Sequence, residues 1–137
     1  MASLRALLTA MAARSATCEA TATVLFLRRG NQRMRRQELL AAIKARLNEV
    51  YGARLKGLVL FGSFARGRAR PDSDIDILAL LDGPLDYGHE LRAIVDALYD
   101  LQLLTAHPLE VLPADSEEYA KREWPLYRAA AADGKAL

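Results

Sequence analysis

From residue 35 onward the apolar positions fall into two rhythms. Leu39, Leu40, Ile43, Leu47 and Val50 recur at intervals of three and four with Arg, Glu and Lys between them, which predicts an amphipathic helix over 35–51. Leu91, Ile94, Val95, Leu98 and Leu101 repeat that rhythm and predict a second helix over 88–103. Between the two lie short apolar runs. Gly57-Leu58-Val59-Leu60-Phe61 reads as a buried strand ending at Gly62-Ser63, with a short helix over Phe64 to Arg66. Residues 67–73 are polar with Gly and Pro, hence a loop. Asp74 to Leu81 reads as a second strand, stopped by Asp82-Gly83-Pro84, and Leu109-Glu110-Val111-Leu112 as a third. Pro108 and Pro113 confine its flanks to strand ends or to a sheet edge. Asp115 or Ser116 suits the N-cap of a last helix with Glu117 and Glu118 in its first turn, where negative charge matches the dipole. Pro125 should break or restart that helix, and Gly134 suits its end.

The order helix, strand, loop, strand, helix, strand, helix predicts an α+β (α/β-like) fold, a small mixed sheet flanked by helices. We expect one domain over 34–137 and an N-terminal extension over 1–33, poorly ordered or helical, with a helix in part of 3–28. Residues 1–36 hold seven arginines and one acid, Glu19, among many Ala, Ser and Thr. That is also the composition of an organellar transit peptide. The plainer expectations are a loose tail or a start codon assigned too early, since Met34 opens a stretch that reads as complete.

Composition narrows the class. With 137 residues, 52% apolar and 26% charged, the chain reads as one soluble globular domain. Its 19 basic and 17 acidic residues are too evenly balanced to argue for nucleic acid as a direct substrate. Cys18 is a single cysteine, so no internal disulfide forms, and His89 and His107 stand apart from any zinc-like spacing. A reducing cytoplasm is the simplest expectation. No apolar run approaches the about 20 residues of a membrane helix.

The chemistry concentrates between residues 60 and 77. Side chains alternate along a strand, so Asp74 and Asp76 point to one side, about 6.6 Å apart along it, and Ile75 and Ile77 to the other. Two carboxylates held side by side repel unless a cation lies between them. Oxygen-only ligands suit magnesium, and two such ions would clamp the attacking and leaving oxygens of an in-line displacement. Upstream, Gly62 lets backbone amides approach an anion, Ser63 can hydrogen-bond a phosphate, and a helix N-terminus there would favour negative charge.

Gly62-Ser63, ten residues, then Asp74-Ile75-Asp76 resembles the signature of the polymerase-beta-like nucleotidyltransferase superfamily. The fuller string Gly62-Ser63-Phe64-Ala65-Arg66-Gly67, followed by Asp72-Ser73-Asp74-Ile75-Asp76, is similar to its smallest members, the minimal nucleotidyltransferases often encoded beside a HEPN-domain partner. The resemblance implies the polymerase-beta-like fold. It makes Asp74 and Asp76 the ligands of magnesium, Gly62 and Ser63 the site for the triphosphate of ATP or another nucleoside triphosphate, and Arg66 a residue that steadies a phosphate or the loop. It implies transfer of a nucleoside monophosphate to a hydroxyl, with pyrophosphate released.

The superfamily usually adds a third carboxylate on a later strand. Glu110 is the acid within the third strand, facing away from Leu109 and Val111, which fits an active face and equally an exposed edge. Asp115 is expected as a helix cap and Asp72 as a turn residue. Arg68 and Arg70 are expected as solvated loop charges, His107 as structural, and Tyr119, Trp124 and Tyr127 as packing. For a chain without room for an acceptor domain, the resemblance implies a protein acceptor, as in an antitoxin that adds AMP to its HEPN-type partner. The alternative is a catalytically weak nucleotide-binding module that acts by binding its partner.

Overall fold

The computed structural model describes residues 34–137; the extension 1–33, the helix within 3–28 and Cys18 lie outside the described residues. Helix α1 spans Arg36–Tyr51 and buries Leu39, Ile43, Leu47 and Tyr51, one residue per turn. Val50, expected on that face, is exposed. Its first turn is closed by the Glu38 carboxylate, which accepts from the Arg35 N–H at 3.2 Å. A 3₁₀ turn, Gly52–Arg54, leads into β1, Leu55–Phe61, which starts two residues before the expected run.

A single-turn helix, α2 (Gly62–Ala65), and the loop after it connect β1 to β2, Ile75–Leu81. Helix α3, Tyr87–Leu104, crosses back to β3, Leu109–Asp115. Helices α4 (Ser116–Lys121) and α5 (Pro125–Asp133) follow, then a two-residue strand, β4 (Lys135–Ala136). The sheet order is β3-β2-β1-β4. β1 is antiparallel to β2 and β4, and β2 is parallel to β3. The expected mixed sheet is therefore observed.

Both faces of this sheet are covered. Leu58, Leu60, Ile75, Ile77, Ala79, Leu81 and Val111 pack with the buried residues of α1 and α3. Val59, Leu78 and Ala114 pack with Ala130 of α5, flanked by Tyr119 and Tyr127. Two-sided burial is why the β1 and β2 sequences read as continuous apolar runs.

One expectation needs correction. The third strand does not stop at Leu112 but runs through Pro113 to Asp115. β3 is an edge strand, and the Ile75 N–H to Pro108 C=O bond of 2.8 Å sets the phase of its ladder. In that phase the backbone groups of Leu109, Val111 and Pro113 turn outward, so the N–H that proline lacks has no ladder partner to lose. The C-terminal helix is interrupted and restarts at Pro125, as expected: Asp115 caps α4 through the Glu117 and Glu118 N–H groups at 2.8 and 3.2 Å, and Pro125 occupies the first turn of α5.

Candidate active site

The site lies where β1 ends and β2 and β3 begin, on the α5 side of the sheet. β1 delivers Phe61, and the chain turns sharply at Gly62, whose φ is +71°. That conformation alone favours glycine. Space demands it as well, since a Cβ at Gly62 would collide with the Asp76 carboxylate. The glycine therefore lets the turn after β1 lie directly against an acid. With four residues, α2 contributes little dipole, so the anticipated helix N-terminus is one turn of backbone amides with the partly buried Ser63 in it.

The loop that follows is ordered by local bonds. Arg68 N–H donates to Ser63 C=O at 2.9 Å, and Arg70 N–H to Ser73 Oγ at 2.8 Å. Pro71 and Asp72 sit at the tip of that second turn, Asp72 as the turn residue expected, and Arg68 and Arg70 are exposed. Asp74 lies one residue before β2 and is exposed. Asp76 lies within β2, partly buried, paired with Phe61 of β1 and with Glu110 of β3.

Glu110 thus stands on the same face as Asp76 and beside it. Asp76 is pushed up to about 6, chiefly by burial, then by the charges of Glu110 and Asp74 and a hydrogen bond with Glu110, with Arg66 pulling the other way. Carboxylates crowded until one resists ionisation form an oxygen-only donor set that suits a hard divalent cation. Among the described residues no three His, Cys, Asp or Glu converge to enclose a metal ion by themselves.

Arg66, the C-cap of α2, bonds Asp133 of α5 through Nη1 at 3.1 Å, both ends being solvent-exposed. It therefore ties the turn to α5 while its charge still reaches Asp76. Asp115 is a cap, as expected. Tyr119 and Tyr127 pack edge to face at 5.8 Å. Trp124 does not pack inside: it is exposed, its indole N–H donating to Glu118 at 3.1 Å. A groove of about 200 Å³ between α3 and β3 is lined by Ile94, Val95, Leu98 and Tyr99, with Glu110 also in its wall. It carries no cationic side chain and does not suit a triphosphate.

A family model described as nucleotidyltransferase domain matches residues 38–135. The chain belongs to this family. The domain is similar to a "putative protein adenylyltransferase" of Methanocaldococcus jannaschii, at 30% identity over 102 residues, covering 74% of this chain and 92% of that protein. It is also similar to a crystal structure of a "putative nucleotidyltransferase" from Sulfolobus solfataricus, with a TM-score of 0.47 and 22% identity, covering 72% of this chain and 78% of that one. Among the described residues no helix is long and apolar enough to cross a membrane.

One contact of this nucleotidyltransferase domain was not legible in the sequence. His107, expected as structural, places Nδ1 2.9 Å from the Ser73 carbonyl, next to Asp74. Its signal was weak: a histidine three residues before Glu110 matters only once β2 and β3 are known to run parallel.

Proposed function

We propose that this domain transfers AMP from ATP, with magnesium, to a side-chain hydroxyl of another protein. The observation that carries the reading is the register of Asp76 with Glu110, with Asp74 two residues ahead and Gly62 against the Asp76 carboxylate. In this reading Asp74 and Asp76 hold the metal. Magnesium, when bound, neutralises triphosphate charge, and a second ion would serve the opposite oxygen of the displacement. Ser63 and the backbone of the Gly62 turn receive the phosphates, and Arg66 steadies that turn through Asp133.

Glu110 is exposed at the sheet edge, where an incoming acceptor meets it. It is the group assigned to take the acceptor's proton. The acceptor oxygen bonds to the α-phosphorus, the bond to the bridging oxygen of the β-phosphate breaks, pyrophosphate leaves, and the hydroxyl proton passes to Glu110. A protein acceptor is supported by the similarity to the Methanocaldococcus jannaschii protein. A HEPN-type partner follows from the sequence resemblance and is part of the same proposal.

The test uses ATP labelled on the α-phosphate, magnesium and the purified protein, with and without the product of the adjacent gene. Label on a protein, lost in the Asp74→Ala/Asp76→Ala variant, is the expected result. Magnesium-dependent ATP binding without transfer to that partner would sink the adenylyltransferase reading and leave a nucleotide-binding module.

A further inference from the structure

We infer that His107 is a positioning residue, which holds Asp74 in place for metal and nucleotide; the inference rests on the proposed role of Asp74. Asp74 lies outside the regular ladder, at the end of the exposed loop, so its position depends on what anchors its neighbours. Both neighbours are anchored by consecutive residues of the segment entering β3. The Ile75 N–H donates to the Pro108 carbonyl at 2.8 Å, and the Ser73 carbonyl lies 2.9 Å from His107 Nδ1. A carbonyl only accepts, so Nδ1 carries the proton. The first tie is made by a backbone carbonyl that any residue would provide. The second depends on the histidine side chain.

The anchor is itself fixed. Gln102, in the last turn of α3, donates from Nε2 to the His107 carbonyl at 3.2 Å and accepts from the Leu109 N–H through Oε1 at 2.7 Å. The His107 N–H donates to Thr105 Oγ1 at 3.1 Å. The far side of the imidazole meets Phe64 edge to face, ring centres 4.9 Å apart. Phe64 adjoins Ser63 and is held in turn by Arg36, whose guanidinium lies 5.3 Å from its ring centre and donates to its carbonyl at 3.2 Å. One imidazole therefore touches the loop that carries Asp74 and the Phe64 ring of α2, and belongs to the segment that delivers Glu110. Groups that orient metal ligands without touching the metal change affinity by about 10- to 100-fold when removed.

The test is calorimetric titration of Mg·ATP into the full-length protein and its variants. His107→Phe keeps the ring against Phe64 and removes the donor. His107→Asn places an amide N–H where Nδ1–H stood. We expect His107→Phe to weaken Mg·ATP binding about 10-fold and His107→Asn to restore most of that loss. Because the phenyl variant can lose stability, His107→Gln serves beside it: equally polar, its amide lies one carbon too far, and it should not restore binding. Equal binding by the Phe, Asn and Gln variants, or a loss that simply follows each variant's Tm, would overturn the inference. Asp74→Asn separates the two levels. If it abolishes Mg·ATP binding while His107→Phe does not change it, the inference fails and the proposed site stands. If Asp74→Asn binds like the wild type, the proposed site fails and the role of His107 with it.

Discussion

Asp76 and Glu110 occupy the same rung of the parallel ladder between β2 and β3, so two carboxylates meet on one face of the sheet with Asp74 close by. The fold holds this repulsion in place. Asp76→Asn removes one of the charges and should raise the Tm of the metal-free protein by a few degrees. About 1 kcal/mol corresponds to about 4–8 °C in a domain of this size, and water at this half-open position screens part of the repulsion. The same variant should lose magnesium-dependent ATP binding. Thermal unfolding with EDTA and with Mg·ATP checks both halves; a lower Tm in EDTA would show that the pair is not strained.

Gly62 and Gly67 have nearly the same positive φ, +71° and +70°, but not the same surroundings. A Cβ at Gly67 meets nothing within contact range, whereas at Gly62 it meets the Asp76 carboxylate. Gly67→Ala should therefore cost about 1 kcal/mol of backbone strain and leave transfer intact. Gly62→Ala should cost about 2 kcal/mol or more and abolish transfer, because the acid must move. Denaturant unfolding beside the labelled-ATP assay distinguishes the two.

The helices were legible because α1 and α3 each bury one stripe, and a stripe has a period. β1 and β2 were legible as apolar runs because both of their faces are covered. β4 was not, since two residues after Gly134 carry no pattern, and the end of β3 was misplaced because a proline is harmless only when its backbone faces outward, which requires the register. The Gly-Ser and Asp-x-Asp elements stood out by spacing. The adjacency of Glu110 to Asp76 did not, because it depends on β3 joining β2 in parallel across a whole helix. The contact of His107 with the Ser73 carbonyl was hidden for the same reason.

Away from the site, Tyr51 donates to the Glu90 carbonyl at 3.1 Å, and the buried Glu90 side chain is paired with Arg54 at 2.7 Å. The Tyr51 phenol is pushed up to about 12 by burial first, then by the hydrogen bond and charge of Glu90, with Arg54 opposing. In the unfolded chain a tyrosine ionises near about 10. Below that pH both states keep the proton and the contribution is whole. Between about 10 and about 12 the unfolded chain releases a proton that the native state retains, so stability falls as pH rises through this window. Denaturant midpoints at about pH 9 and about pH 11 should differ less in Tyr51→Phe than in the wild type.

Glu110 and Asp74 should fail differently, and the difference tests the assignment of roles. Asp74 is taken to hold the metal under the triphosphate, so Asp74→Asn should lose Mg·ATP binding and transfer together. Glu110 is taken to receive the acceptor proton from the exposed edge of β3, so Glu110→Gln should bind Mg·ATP within a few fold of the wild type. Its transfer rate should nevertheless drop about 100- to 10,000-fold, the usual range for a removed general base. Glutamine keeps the size of the side chain and relieves the charge beside Asp76, so a folding defect would not explain the loss. Single-turnover transfer at saturating Mg·ATP reads the chemical step apart from binding. If Glu110→Gln transfers at the wild-type rate, Asp74 and Asp76 suffice for the reaction and Glu110 merely borders the acceptor's path.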